Sequence, residues 1–329
     1  MNRSGTETLS MLMGIFEAAR VVPRTAPLRM LPLTIISGFL GAGKTTLVNR
    51  LLSDPAGRRI AVLVNDFAAV NIDEELIRFQ GGDTIGLTNG CVCCSINGDL
   101  VRTIQRLTER AVPPDAVVLE ASGIADPRGI AQIALANPAL RLDAIVTLVD
   151  SENFAERFQD EKTRATLESQ LTAADVIAIN KIDLVEIRKS EIRKMIESVA
   201  ADRVVIETTR SKIPTEIALG MLNRGSSQFA CSLTSHAAGF SSTTRTWEEP
   251  IDRDSMLRAL RDLPPYVIRA KGIFSFRDDE NEKYVYHRVG RRESLELLRG
   301  ASSSRSDSRL VLIGFSDSWN EAEMPALSS

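Results

Sequence analysis

The sequence predicts an α/β fold with a doubly wound, mostly parallel sheet, followed by a smaller α+β domain. The chain has 329 residues, of which 43% are hydrophobic and 25% are charged. This composition is typical of globular proteins, and the length suits about two domains. From Leu31 onward, short β-branched runs alternate with longer helical ones. Several of the runs, such as 60–64 (IAVLV), are apolar throughout, as strands buried on both faces of a parallel sheet require.

The predicted elements follow one another in chain order. The first domain contains the predicted strands LTIIS, IAVLVN, DAVVLE, DAIVTLVD, DVIAIN and RVVIE, and the helices KTTLVNRLLS, NGDLVRTIQRLTER, PRGIAQIALAN and RKSEIRKMIESVA. The next segment, 223–245, is rich in small hydroxyl side chains and has no regular spacing of apolar residues, which predicts a linker. One helix (DRDSMLRALRDL) and three strands (YVIRAKGIFSF, EKYVYHRV and RLVLIGFS) predict the second domain. The predicted divisions are a flexible N-terminal tail (1–30), the α/β domain (31–222), the linker (223–245) and the C-terminal domain (246–320).

Charge and composition exclude several classes of function. Lys and Arg number 40 against 43 Asp and Glu, which gives a net charge of −3 and no positive field for nucleic acid. No apolar run approaches the roughly 20 residues that a membrane span needs. Four cysteines are too few for a disulfide scaffold, and no secretory leader is visible. We therefore expect no nucleic-acid partner, no membrane insertion and a cytoplasmic location.

A phosphate-binding motif lies between the first predicted strand and helix. Residues 38–45 (GFLGAGKT) fit the pattern G-x-x-x-x-G-K-[ST]. The glycines allow backbone N–H groups to surround a β-phosphate, Lys44 reaches the β- and γ-phosphates, and the Thr45 hydroxyl ligates Mg²⁺. The predicted nucleotide-binding residues here are Gly38, Gly41, Ala42, Gly43, Lys44, Thr45 and Thr46.

The sequence Asn180-Lys181-Ile182-Asp183 ends a later predicted strand and favours guanine over adenine. The Asp183 carboxylate can accept bonds from N1–H and N2–H₂ of guanine, whereas adenine presents an acceptor at N1 and nothing at C2. Leaving a buried carboxylate unpaired can reject the wrong base by about 10⁴-fold. The stem of Lys181 is expected to lie along the base. We therefore predict GTP as the nucleotide, read by Asn180, Lys181 and Asp183.

A carboxylate lies at the end of the strand DAVVLE, between these two motifs. Glu120 occupies the position where a Walker-B acid holds a magnesium-bound water, and Gly123 can present its N–H to a γ-phosphate. A solvated Glu at a strand end is the alternative interpretation. The P-loop upstream favours the magnesium role.

Three of the four cysteines occupy four positions, as Cys91, Cys93 and Cys94. Thiolates at this density suit Zn²⁺ or Cu(I), and three ligands leave a fourth position open, which suits transfer of a metal. Buried apolar packing and a redox switch are the alternatives. Cys231 is interpreted as an ordinary buried thiol.

Taken together, the segments GFLGAGKTTLVNRLL, VNDF, LTNGCVCCS, EASGIADP and NKIDLV resemble the CobW family of metal-handling GTPases, relatives of HypB and UreG. The segments LPPYVIRAKGIFSF and RLVLIGF resemble its C-terminal domain. The resemblance implies a GTPase that binds a transition metal, chiefly zinc or cobalt, and transfers it to a client. It assigns the metal to Cys91, Cys93 and Cys94, and magnesium to Thr45 and Glu120.

The family commonly has the sequence N-E-F-G-E after the second strand. This chain differs there and has Asn65-Asp66-Phe67-Ala68-Ala69. Asp66 keeps a carboxylate that can orient the attacking water, but Ala69 replaces the second acid. The predicted catalytic residues are therefore Lys44, Asp66 and Glu120. No arginine finger is evident, which predicts slow intrinsic hydrolysis.

These observations predict a GTP-hydrolysing metallochaperone. The expected ligands are GTP, Mg²⁺ and Zn²⁺ (or Co²⁺), and the expected partners are a client metalloenzyme and, in one possible assembly, a second copy of the chain. The alternative is a regulatory P-loop GTPase whose thiol cluster is a redox or structural element.

Overall fold

The computed structural model describes residues 30–64, 83–86, 96–185, 189–220, 239–298 and 308–320. Within these ranges two sheets are formed, one parallel and one antiparallel. They confirm the predicted α/β domain and the smaller C-terminal α+β domain. In the same ranges, no helix combines the length and the apolar character that a bilayer span requires.

The first sheet contains seven of the described strands, in the order β3-β2-β4-β1-β5-β6-β7, and each pairing is parallel. The strands are β1 (Leu31–Gly38), β2 (Ile60–Val64), β3 (Asp83–Gly86), β4 (Ala116–Glu120), β5 (Leu140–Asp150), β6 (Val176–Asn180) and β7 (Val204–Glu207). The helices are α1 (Lys44–Ser53), α2 (Ile96–Thr108), α3 (Pro127–Ala136), α4 (Phe154–Gln159), α5 (Glu161–Ala173), α6 (Lys189–Ala200) and α7 (Thr215–Leu219).

Side chains of β1 alternate between two apolar cores. Ile36 packs into the core that contains Leu47 of α1, whereas Leu33 and Ile35 pack into the core that contains Ile130 of α3. Helices therefore cover both faces of the sheet, as apolar strands require. The strand order reverses at β1, which lies between β4 and β5. Ligands of such sheets bind at this reversal, beyond the carboxyl ends of the strands.

The C-terminal sheet has five described strands in the order β11-β10-β9-β12-β8, all antiparallel. Its elements are β8 (Phe240–Trp247), α8 (Arg253–Arg261), β9 (Val267–Phe276), β10 (Asp279–Val289), β11 (Arg292–Leu297) and β12 (Ser308–Phe315). Met256 and Leu260 of α8 pack with Phe274 and Tyr286 of the sheet in one core. The helix therefore covers one face of this sheet.

Three strands were not predicted from the sequence. β3 has four residues, and β8 and β11 lie at the two edges of the C-terminal sheet with half-exposed, mainly polar patterns. β8 begins at Phe240, inside the predicted linker 223–245, because pairing with β12 orders a Ser- and Thr-rich segment that lacks an apolar period. The other domain boundaries stay predictions. The tail 1–29 and residues 221–238 lie outside the described residues.

A buried ion pair joins the two domains. Arg269 of β9 donates to Asp143 of β5 at 2.9 Å, to Ile217 O at 2.7 Å and to Ala218 O at 3.1 Å. Arg269 and Asp143 are both buried. Burial alone raises the pKa of Asp143, but the charges of Arg269 and Arg141 outweigh it and hold that pKa below its usual range. Asp143 is therefore ionised and is the counterion of Arg269 in the C-terminal domain.

Lys271 of β9 is buried at the same interface. Burial, and then the positive charge of Arg141, lower the pKa of Lys271 to about 7. Arg58 and Arg269 act in the same direction, and Asp143 opposes them. Folding therefore disfavours the protonated form of this amine.

His287 of β10 lies opposite Lys271 in the antiparallel pair with β9. Burial lowers the pKa of His287 well below its usual value, and the charges of Arg141, Lys271 and Arg269 lower it further. Two basic groups at one interface are thus both disfavoured in their charged forms.

The free energy of unfolding is expected to rise between about pH 7 and pH 9.5, because Lys271 loses its proton in the folded protein near the lower value but keeps it in the unfolded chain until about pH 10.4. The unfolded state binds more protons in this window, so this stability is lost as the pH falls back towards 7. Lys271 alone can contribute a slope of up to about 1.4 kcal/mol per pH unit.

Urea unfolding at several pH values measures this slope. Lys271→Met should flatten the curve, whereas the exposed control Lys212→Met should retain it. A wild-type curve that is already flat over the window would contradict the prediction.

Candidate functional site

The P-loop connects β1 to α1 and turns sharply at Gly43. Gly43 has φ 102°, in the left-handed region, and precedes Lys44, the first residue of α1. A Cβ at this position would lie 2.5 Å from Asn180 Nδ2 and 2.7 Å from Ser211 Oγ. Glycine is therefore required here by both conformation and space. No described side chain caps α1, so the first-turn N–H groups suit an anion.

Lys44 lies over this loop. Its side chain is largely buried, and Nζ donates to Phe39 O at 3.3 Å. This bond joins the end of the loop to its beginning. The ammonium group is therefore placed beside the N-terminus of α1, where the positive end of the helix also favours phosphate.

Thr45 and Glu120 form the candidate magnesium site. Thr45 Oγ1 donates to Glu120 Oε1 at 2.8 Å, and Glu120 is 3% exposed. β1 and β4 are adjacent, with Ile36 paired to Glu120. Neighbouring ligands of an octahedral Mg²⁺ with bonds of about 2.0–2.1 Å lie about 2.9 Å apart. The two oxygens present here fit this spacing, so the site is compatible with Mg²⁺.

Asn180 at the end of β6 bonds the P-loop. Its Nδ2 donates to Ala42 O at 2.8 Å and to Ser211 Oγ at 3.0 Å, and its Oδ1 accepts from Ser211 N at 2.8 Å. Ser211 Oγ in turn donates to Gly43 O at 2.9 Å. The predicted contact of Asn180 with guanine stays a prediction, and these bonds give Asn180 a second role in shaping the loop.

Asp150 positions Lys181. Lys181 has φ 62°, and its Nζ lies 3.0 Å from Asp150 Oδ2. Asp150 is 5% exposed, and it also accepts from Asn153 Nδ2 at 2.8 Å and Glu152 N at 3.3 Å. The ammonium is thereby held at the end of β5. The expected position of the Lys181 stem along a base stays a prediction.

Asp183 lies in the 3-10 turn Ile182–Leu184 that follows Lys181. Its side chain is exposed, and no side chain of the described ranges is seen to bond its carboxylate. The Asp183 carboxylate is therefore accessible to solvent, and its predicted contact with guanine stays a prediction.

The structure brings together the P-loop, Glu120 and Asn180, with Lys181 and Asp183 on the turn that follows. Asp66, Cys91, Cys93 and Cys94 lie outside the described residues, as does Cys231. Sequence reasoning missed Ser211 and Asp150. Asp150 ends an apolar strand, and that position was the available signal.

Comparison with known proteins gives the family. The CobW/HypB/UreG nucleotide-binding domain matches residues 32–207. The chain belongs to the CobW/HypB/UreG family. The C-terminal domain of the cobalamin synthesis protein cobW matches residues 240–325. Both matches confirm the resemblance expected from the motifs, and the chain is a P-loop GTPase of this family.

Two curated relatives and one solved structure show the extent of the similarity. The zinc chaperone CobW of Sinorhizobium sp is 29% identical over 345 residues, covering 91% of this chain and 97% of the relative. The zinc chaperone CobW of Pseudomonas aeruginosa is 33% identical, covering 59% of this chain and 60% of the relative. The crystal structure of Zn(II)-bound YjiA GTPase from E. coli has a TM-score of 0.46 and 22% identity, covering 92% of this chain and all of that one.

Proposed function

We propose that this GTPase is a metallochaperone that binds zinc through Cys91, Cys93 and Cys94 and delivers it to a client metalloenzyme. The observation that carries the proposal is the register of the sheet. Gly86 of β3, Val64 of β2 and Glu120 of β4 lie in one row across the sheet. The segment with the three cysteines follows Gly86, so it leaves the sheet from the row that ends at the candidate magnesium site.

The relatives support zinc as the metal, since two of them are named zinc chaperones. Three thiolates suit zinc, and an incomplete set leaves one coordination position for a ligand from the client. Cobalt is the alternative metal. A client metalloenzyme as partner, a homodimer and a cytoplasmic location stay predictions.

Hydrolysis of GTP follows from the P-loop groups. Lys44 and the first-turn N–H groups of α1 stabilise negative charge on the transferred phosphoryl group. Thr45 and Glu120 would hold a magnesium ion, which would supply positive charge to offset the negative charge of the phosphates. Asp66 is the proposed group that orients the attacking water. Because no arginine finger is assigned, turnover is expected to be slow.

A regulatory GTPase with a redox or structural thiol cluster is the second candidate. In that case the three thiols at 91–94 serve as a redox or structural element, and the purified protein carries no metal. Metal content therefore separates the two candidates.

The test measures zinc per chain and zinc release during turnover. Wild type is expected to carry about one zinc per chain, to hydrolyse GTP and to transfer zinc to an acceptor chelator faster while doing so. Thr45→Ala should keep the zinc but lose hydrolysis and accelerated transfer. A triple Cys→Ser variant should keep hydrolysis and lose zinc. Full zinc content in that variant would refute the proposed ligands.

A further inference from the structure

We propose that Gln170 is a positioning residue for GTP hydrolysis, which fixes the loop after Glu120 in the conformation that receives the γ-phosphate. The inference rests on the proposed role of Gly123 in γ-phosphate binding. Gln170 lies on α5, is 1% exposed and is 47 residues from Gly123 in sequence. Neither the motifs nor the hydrolysis argued above uses it.

Both N–H donors of the Gln170 amide bond this loop. Nε2 lies 3.0 Å from Gly123 O and 3.2 Å from Ala125 O. Inside the loop, Ala125 N donates to Ser122 O at 3.0 Å. One side chain from α5 therefore fixes two carbonyl groups of the connection between β4 and α3.

The polar character of Gln170 is explained by this loop rather than by packing. Its Oε1 is buried and has no hydrogen-bond partner in the described part of the chain. A buried oxygen without a partner destabilises the fold, and an apolar side chain would fill the same space without that cost. Reversing the amide would place Oε1 against two carbonyl oxygens, so the donors determine its orientation. The two hydrogen bonds that the amide donates therefore explain why a polar side chain occupies this buried position.

The fixed loop lies directly against the P-loop. A Cβ at Gly123 would lie 2.6 Å from Leu40 Cδ2 and 2.9 Å from Leu40 N. Arg157 Nη1 of α4 donates to Leu40 O at 2.9 Å and so holds the P-loop at the same residue. Movement of the loop at Gly123 would therefore change its contact with the phosphate-binding segment.

The bond to Gly123 O also sets the direction of a donor. In a planar trans peptide the C=O and the following N–H point in opposite directions. Gln170 therefore turns the N–H of Ile124 away from α5. Through Ala125, whose N–H donates to Ser122 O at 3.0 Å, it also fixes the peptide that carries the N–H of Gly123. Fixed backbone dipoles of this kind stabilise a transferred phosphoryl group without reorganisation during the reaction. Loss of Gln170 should thus weaken the binding of a GTP analogue, which carries a γ-phosphate, more than the binding of GDP.

Gln170→Met tests this, because it removes both donors and keeps the length of the side chain. Thr147→Val is the matched control. Thr147 Oγ1 of β5 donates to the main-chain O of Gln170 at 3.1 Å and is buried. The control therefore removes a buried hydrogen bond at the same helix position and leaves the bonds to Gly123 and Ala125 in place.

The measurements are dissociation constants for GDP and a non-hydrolysable GTP analogue, together with kcat and KM for GTP. In Gln170→Met we expect analogue affinity to fall about 5- to 30-fold relative to GDP affinity, and kcat to fall about 10-fold. Thr147→Val should change each value by less than about 2-fold while lowering Tm, as an ordinary buried bond does.

The inference would be overturned if the ratio of the dissociation constants for the GTP analogue and for GDP were the same in Gln170→Met as in wild type. If that variant does not fold, Gln170→Asn decides the question by the same ratio, because it keeps an amide but withdraws it by one methylene group from Gly123 O and Ala125 O. Wild type that binds neither GTP nor the analogue would instead refute the proposed function. The two failures are therefore distinguishable.

Discussion

GTP is expected to bind at least about 100-fold more tightly than ATP. The physical reason is the carboxylate of Asp183, which is exposed on the turn directly after Lys181. It can accept two hydrogen bonds from the N1–H and N2–H₂ groups of guanine, whereas adenine offers it an acceptor. The ion pair of Lys181 with Asp150 adds rigidity to this turn. A bound base would displace water from this carboxylate, so guanine would satisfy it and adenine would leave it unpaired.

Titration with fluorescent GTP and ATP measures this preference. Asp183→Asn should move the preference toward xanthine nucleotides, because the amide can donate to the O2 of xanthine. The matched control is Glu152→Gln, which removes an exposed carboxylate 4.0 Å from Lys181 and should leave the preference unchanged. Similar affinities of wild type for GTP and ATP would contradict the assignment of Asp183.

The sequence predicted the buried strands of the first domain well, because burial on both faces leaves a local apolar run, but it did not predict the helices α4, α5 and α7. β1, β2, β4, β5, β6 and β7 were all predicted from apolar runs. β3, with four residues, is too short for such a pattern. β8 and β11 lie at sheet edges, where one partner strand and half-exposed side chains remove the apolar period.

Some residues of the candidate site could likewise be predicted from a local sequence pattern, and others could not. Lys44, Thr45, Asn180 and Asp183 belong to motifs with fixed local spacing, so the sequence identifies them. Ser211 is identified by its contacts in the structure, with Asn180 and with Gly43, which is 168 residues away. A single serine carries no local signal for a contact of this kind, which depends on the order of strands in the sheet.

Zinc affinity is expected to differ about 5- to 150-fold between the GTP-analogue and GDP forms, equivalent to a coupling of roughly 1–3 kcal/mol. Gly86, Val64 and Glu120 lie in one row at the carboxyl ends of β3, β2 and β4. Adjacent strands are about 4.8 Å apart, so Gly86 leaves the sheet roughly 10 Å from Glu120. A change in the segments beyond this row upon binding of the γ-phosphate would bias the metal site, and by linkage zinc would bias analogue affinity by the same factor.

A competition titration with a chromophoric zinc chelator in each nucleotide state measures the coupling, and a titration of the analogue with and without zinc must return the same factor. Zinc affinity should also weaken as the pH falls, because the ligands bind as thiolates and protons compete for them. Cys231→Ser is the matched control for the triple variant of Cys91, Cys93 and Cys94, since it removes a thiol distant in sequence. Equal zinc affinity in both nucleotide states, or unchanged binding in the triple variant, would contradict a nucleotide-controlled transfer of zinc. A difference that Cys231→Ser retains and the triple variant loses would connect the nucleotide state at Thr45 and Glu120 to metal release, as expected from the position of Gly86, which precedes the cysteines in sequence, in the same row as Glu120.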